Sequence, residues 1–152
     1  MRRHTQIVAL AALLVAVPLV LVGWNEWRKH SGEHVLIRVE PVDPYDPFRG
    51  EYVALSYGIS RVPHPDADVV YVPLHRDGIA WTGSRGVAKR PESGTFIRGR
   101  AHGDTIDFGI ETFFVQEGTA RRYENAISNR RLYADVVLHD DGTAQLDDLV
   151  IR

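Results

Sequence analysis

Apolar residues that alternate with polar ones, in short runs cut apart by glycine-aspartate turns, constrain this chain more than any other feature. Val35, Ile37 and Val39 alternate with Leu36, Arg38 and Glu40, while Val53, Leu55, Tyr57 and Ile59 alternate with Ala54, Ser56 and Gly58. A period of two puts alternate side chains on one face of a pleated strand, so these runs predict strands with one buried face. The runs 68–75 and 78–84 meet at Arg76-Asp77-Gly78, and Asp-Gly between apolar stretches predicts a tight hairpin turn. Runs 95–101 and 105–115 flank His102-Gly103-Asp104, with Ile106, Phe108, Ile110 and Phe114 expected on a common face. A last hairpin pairs 132–138 with 144–151 around Asp140-Asp141-Gly142.

One segment departs from this period. Ala120, Tyr123 and Ile127 recur at helical spacing behind Thr119, which predicts a short helix over 120–131 with Thr119 as its N-cap. Arg122 stands where a full capping box needs Glu or Gln. Seven or eight strands and one helix make a mainly β domain, expected as a curved antiparallel sheet or a partly closed barrel. A chain of 152 residues holds one such domain and a short additional segment.

That segment lies at the N-terminus. Ile7 to Gly23 carry no charge, and at about 1.5 Å per residue they reach roughly 26 Å as a helix, the short end of a bilayer's hydrocarbon core. Trp24 and Trp27 follow, where indole rings suit the membrane interface, and Pro18 is tolerated in a spanning helix. The expectation is a signal anchor in residues 1–29 that crosses the membrane through residues 7–24, followed by a β domain in 30–152. Cleavage as a signal peptide is the competing reading, but Leu21 fits poorly before Gly23 at a small-residue site. Arg28 and Lys29 balance Arg2 and Arg3, so orientation rests on the very short N-terminal tail, which favours an inner-membrane protein with its C-terminal domain in the periplasm. The absence of cysteine fits an oxidising compartment and a cytosolic one alike. A net charge of −2, with Arg2 and Arg3 already in the anchor, argues against a nucleic-acid partner.

The octet Gly50-Glu51-Tyr52-Val53-Ala54-Leu55-Ser56-Tyr57 resembles the signature of the GDYxxLxY protein family, with Glu51 keeping the carboxylate of the motif's Asp. Pro41-Val42-Asp43-Pro44 with Phe48-Arg49 is similar to the family's loop before the motif. The run from Phe108 to Gly118 is similar to its Tyr-Gly-Ile-Glu-x-Tyr-Phe-Val-x-Glu-Gly segment, with Phe108 and Phe113 in place of tyrosines. The resemblance spans most of 35–151. It implies a small bacterial protein with an N-terminal membrane segment and no established activity. It also implies a multi-spanning membrane protein as partner.

Chemistry has few footholds. Asp43, Asp46 and Glu51 around Arg49 offer oxygen ligands for a hard cation, but their spacing is not that of an EF-hand, and aspartates before proline ordinarily initiate turns. Glu111 and Glu117 offer a carboxylate pair of the kind that divides acid and base roles, set against an arginine salt bridge for Glu111 and a loop role for Glu117. A Ser-Lys peptidase lacks its nucleophile, since no serine lies between Gly32 and Tyr52. The histidines show no zinc spacing and the glycines no phosphate loop, so no cofactor or metal is expected. Arg121, Arg122, Arg130 and Arg131 spread around the helix, with pairing to Glu117 and Glu124 or simple solvation expected over lipid binding.

The resulting expectation is a membrane-anchored accessory protein that binds a membrane protein or another envelope component. Its binding surface would comprise Asp43, Asp46, Arg49, Glu51, Tyr52, Tyr57, Glu111 and Glu117. A carboxylate-dependent envelope hydrolase and a subunit that self-associates through strand edges are the alternatives. Converging carboxylates in a concave pocket would favour the hydrolase, and an exposed aromatic patch the binding protein.

Overall fold

In the computed structural model, residues 13–23, 32–41, 52–115 and 119–152 are described. The chain forms two compact units, Met1–Gly32 and Glu33–Arg152. In the first, residues 13–23 form a helix, α1, whose Leu and Val side chains are exposed from Leu13 to Val22. No helix among the described residues is long and apolar enough to cross a membrane. The anchor expected over 7–24 lies partly outside them.

The second unit is mainly β, a curled half-barrel sheet with one short helix. Its strands are β1 (Glu33–Glu40), β2 (Tyr52–Ala54), β3 (Ser56–Tyr57), β4 (Val69–Asp77), β5 (Ala80–Gly83), β6 (Phe96–His102), β7 (Thr105–Asp107), β8 (Thr112–Phe114), β9 (Leu132–Leu138) and β10 (Ala144–Ile151). The main sheet runs β10-β9-β1-β5-β4-β6-β7, with β3 paired to the end of β1, while β2 and β8 form a separate two-stranded ribbon. All pairings are antiparallel except β1 with β5, which is parallel through Ile37 and Trp81. The expected all-antiparallel sheet is corrected at that one seam. A parallel neighbour needs a long crossover, supplied here by the chain between β1 and β5.

The three hairpins form where the turn residues predict them. Asp77 pairs with Ala80 around Gly78, and His102 with Thr105 around Gly103. Both glycines hold positive φ, as two-residue turns of this kind demand. β4 serves two partners, pairing Val69–Pro73 with β6 and Leu74–Asp77 with β5. Pro73, which has no N–H to donate, sits at that handover, where a ladder bond is least missed.

Two runs read as single strands are broken in the fold. The run 53–59 splits into β2, β3 and a 3-10 turn, Gly58–Arg61, because β2 takes β8 as partner and β3 takes β1. The run 105–115 splits into β7 and β8 because Gly109 adopts φ 79°, a left-handed conformation that folds 108–111 into a turn. That turn also resets the alternation. Ile106, Phe108 and Ile110 are buried, but Phe114, expected beside them, is 77% exposed.

Helix α2 (Ala120–Ser128) ends short of Arg131. Arg130 takes φ 55°, its N–H donates to the Ile127 carbonyl, and the Arg131 N–H donates to that of Ala126, closing a Schellman motif. Thr119 occupies the N-cap position, but its side chain makes no capping hydrogen bond.

The inner face of the curl is aliphatic. Val35, Ile37 and Val39 of β1 pack with Val70, Val72 and Leu74 of β4, Ile97 of β6, and Leu132, Ala134, Val136 and Leu138 of β9. Ile59, Ile106, Phe108, Ile110 and, from α2, Ala126 and Ile127 join the same core. Each large side chain buried there contributes about 1.5–3 kcal/mol, against about 0–1 kcal/mol for an exposed ion pair such as Arg61 with Glu40, so the core rather than surface charge holds the curl.

Candidate functional site

The octet that carries the family signature ends in β2 and β3, and the structure lays it along the second signature segment, 108–114. Tyr52 pairs with Phe114, Val53 with Phe113 and Ala54 with Thr112. Beyond the ribbon the contact continues, as the Leu55 N–H donates to the Glu111 carbonyl at 2.8 Å. Val53, Leu55 and Tyr57 point into the core, as their alternation predicts. The two segments are one structural unit.

Tyr57 is fully buried, and its hydroxyl donates to the Ile110 carbonyl at 2.7 Å. Burial pushes its pKa far above the ordinary tyrosine range, and the neighbouring Glu111 charge adds to the shift. The hydroxyl therefore remains a donor. Its role is to satisfy a buried carbonyl in the turn that Gly109 creates, which answers for a residue expected on a binding surface.

Glu111 is half-buried at the end of the same turn. Its Oε1 accepts the Phe108 N–H at 2.7 Å, so the carboxyl clamps the turn across its mouth. Asp107, which begins the turn, accepts the Gly109 N–H at 2.8 Å. Burial raises the Glu111 pKa, with a further push from the Asp107 carboxyl, while a hydrogen bond from Glu111 lowers that of Asp107. The two carboxyls are thus pushed in opposite directions, with Glu111 the weaker acid of the pair. The arginine salt bridge expected for Glu111 is replaced, among the interactions of this turn, by backbone and carboxyl partners.

Asp107 lines an open cleft of about 460 Å³ with Arg98, Arg100, Phe108 and Thr143, and Glu111 is not part of that lining. Two arginines and one aspartate share that lining with Val69, Phe108 and Ala144, and the cleft is open to solvent. Asp107 was not singled out in the sequence, although Asp107-Phe108-Gly109 has the Asp-x-Gly form of a turn that an aspartate side chain caps.

Phe114 dominates the other surface of the unit, exposed on the ribbon opposite Tyr52. Asp43, Asp46, Arg49, Glu51 and Glu117 lie outside the described residues, as does the side chain of Tyr52. His75, one of the scattered histidines, is held by Thr82 and Ser84 at the β4–β5 hairpin, as a polar group of a hairpin end.

Compared with known families, the chain matches the family model described as GDYXXLXY protein over residues 14–149. No curated protein and no solved structure matches it.

Proposed function

Because this chain belongs to the GDYXXLXY protein family, we propose that it is a membrane-anchored accessory protein whose β domain, on the periplasmic side, binds a membrane protein or another envelope component through the β2–β8 ribbon. The observation that carries this reading is Phe114, a large aromatic side chain 77% exposed on a strand built by both signature segments. Aromatic groups held on a rigid strand supply contact area at low entropic cost, which is why they concentrate in interfaces. The anchor is supported by the apolar segment itself: from Leu13 to Val22 every large side chain of α1 is aliphatic and exposed, and a helix that is apolar on all sides takes its covering from lipid or from other protein.

The experiment is crosslinking and mild-detergent purification of the intact protein from its own membranes, with Phe114→Ala as the comparison at equal folding. Loss of a specific co-purifying membrane protein in the variant supports the reading. A partner retained equally by the variant moves the interface elsewhere, and the absence of any partner removes the reading's main support.

A carboxylate hydrolase is the second reading, favoured by one observation: Glu111 and Asp107 have pKa values pushed apart, as an acid and a base require. Against it, Glu111 spends an oxygen on the Phe108 N–H and stands outside the cleft that Asp107 lines. Self-association by edge pairing is weighed down by β10, which carries a bulge and adjacent aspartates along its length.

A further inference from the structure

The outer face of β1, β9 and β10 gathers residues far apart in the chain. Leu36 pairs with Asp135, and His34, two residues before it on the same face of β1, sends its Nδ1 to within 3.0 Å of Asp135 Oδ1. On the other side Asp148 lies directly opposite Asp135, and the register shift between Leu146 and Asp148 inserts Asp147 as an extra residue there. A bulge of this kind sets two residues of one strand against one of its neighbour and re-aims a side chain. Here it brings a second carboxylate to His34 and Asp135. One ligand atom from each of His34, Asp135 and Asp147 lies within 4.8 Å of the others.

We propose that these three side chains form a binding site for a divalent transition-metal ion of the zinc class, with His34 Nδ1 and one carboxylate oxygen each from Asp135 and Asp147 as ligands. Metal–ligand bonds of about 2.0–2.2 Å place neighbouring ligand atoms roughly 3–4 Å apart, so the 3.0 Å His34–Asp135 separation already suits a shared ion, and Asp147 lies within 4.8 Å of both. The imidazole nitrogen decides the class of ion: calcium and magnesium select oxygen, whereas zinc takes nitrogen and carboxylate together. Two carboxylates balance the ion's charge, and water completes the shell.

The charge arrangement points the same way. Directly opposed like charges on neighbouring strands destabilise a sheet, and this face sets Asp148 opposite Asp135 with Asp147 added beside them. Asp148 already accepts the Leu149 N–H at 2.8 Å, which leaves Asp147 as the carboxylate of the bulge turned to the site. A bound cation converts that repulsion into attraction. Three separate strands of one sheet supply the ligands, so the site is held by the ladder and not by a loop.

The test is calorimetric titration of the chelator-washed full-length protein with Zn²⁺ alone, repeated with His34→Ala, Asp147→Asn and, as a control elsewhere on the surface, His75→Ala. The expected result is one ion per chain bound in the micromolar range or tighter, weakened about tenfold or more in the first two variants and unchanged in the third. No zinc binding by the wild type, equal affinity in all four proteins, or displacement of Zn²⁺ by equimolar Ca²⁺ would each overturn the proposal. Should a variant fail to fold, imidazole-nitrogen NMR of the wild type decides: a large shift of His34 Nδ1 on adding one equivalent of Zn²⁺ supports the site, and no shift overturns it.

Discussion

The Tyr57 hydroxyl donates to the backbone carbonyl of Ile110 at 2.7 Å, joining residues that stand 53 apart in the chain. The last tyrosine of the family signature thus reaches across to the second signature segment and satisfies a carbonyl that its turn leaves inside the core. Conservative removal of that hydroxyl, Tyr57→Phe, keeps the ring and strands the carbonyl. The expected loss is about 1–3 kcal/mol, read by urea denaturation as a lower midpoint with an unchanged slope. An unchanged midpoint would mean that the bond contributes nothing net.

The Glu111–Asp107 pair predicts a pH signature. Glu111 has a raised pKa in the folded protein, so its contribution to stability is fully present below its ordinary value of 4.5 and is lost as pH rises through the folded value. Asp107 runs the other way, stabilising above its ordinary 3.8 and losing that contribution as pH falls through its lowered folded value. From pH 4.5 upward only the Glu111 effect operates. Glu111→Gln retains an acceptor for the Phe108 N–H and has no proton to lose, so its stability relative to wild type should rise between pH 4.5 and 7. A difference that stays flat across this window in parallel denaturation curves would sink the raised pKa of Glu111 as a source of pH-dependent stability.

Gly99 tests how tightly β6 packs under the same turn. A Cβ there would meet Ile106 Cγ2 at its closest, the Asp107 carbonyl oxygen at 2.7 Å and Phe108 Cδ1 at 2.8 Å. Backbone oxygen cannot step aside as a flexible side chain can. Gly99→Ala should therefore cost about 1–3 kcal/mol by overpacking, and it should shift the amide resonances of 106–111 more than those of the β9–β10 hairpin. Thermal melting and a two-dimensional amide spectrum check both halves.

Phe114 separates binding from folding. With 77% of its surface exposed, Phe114→Arg should move stability by no more than about 0.5 kcal/mol. The same change places a charge in the proposed interface and should abolish capture of the membrane partner. Equal melting temperatures with equal capture would remove the ribbon from the binding surface.

Much of the architecture is written in local patterns. The turns at Gly78 and Gly103 lie where Asp-Gly and Gly-Asp place them, and Val35, Ile37 and Val39 face the core as a period of two requires. Phe114 escaped the same logic because the bend that follows Gly109 ends the alternation after Ile110, so that Phe113 and not Phe114 packs on the core, and nothing in an alternating pattern announces where it will end. The helix end was missed for a related reason, since Arg130 adopts a left-handed conformation that arginine seldom takes. Of the candidate site, Tyr57 and Glu111 were visible as motif residues, but their work as a buried donor and a turn clamp depends on neighbours that only the fold supplies.

Sequence alone determined the strand and helix periods, the hairpin turns, the apolar N-terminal run and the kinship to the GDYXXLXY family, because sterics, periodicity and turn chemistry act within a few residues of the chain. Tertiary structure decided the partners: β1 beside β5 in parallel, the motif strand zipped to the Glu111 segment, and His34 brought to Asp135 across a separation of 101 residues. Those contacts follow from how the sheet orders and registers its strands. That choice belongs to the burial of one shared core by the whole domain, and no short stretch of sequence carries it.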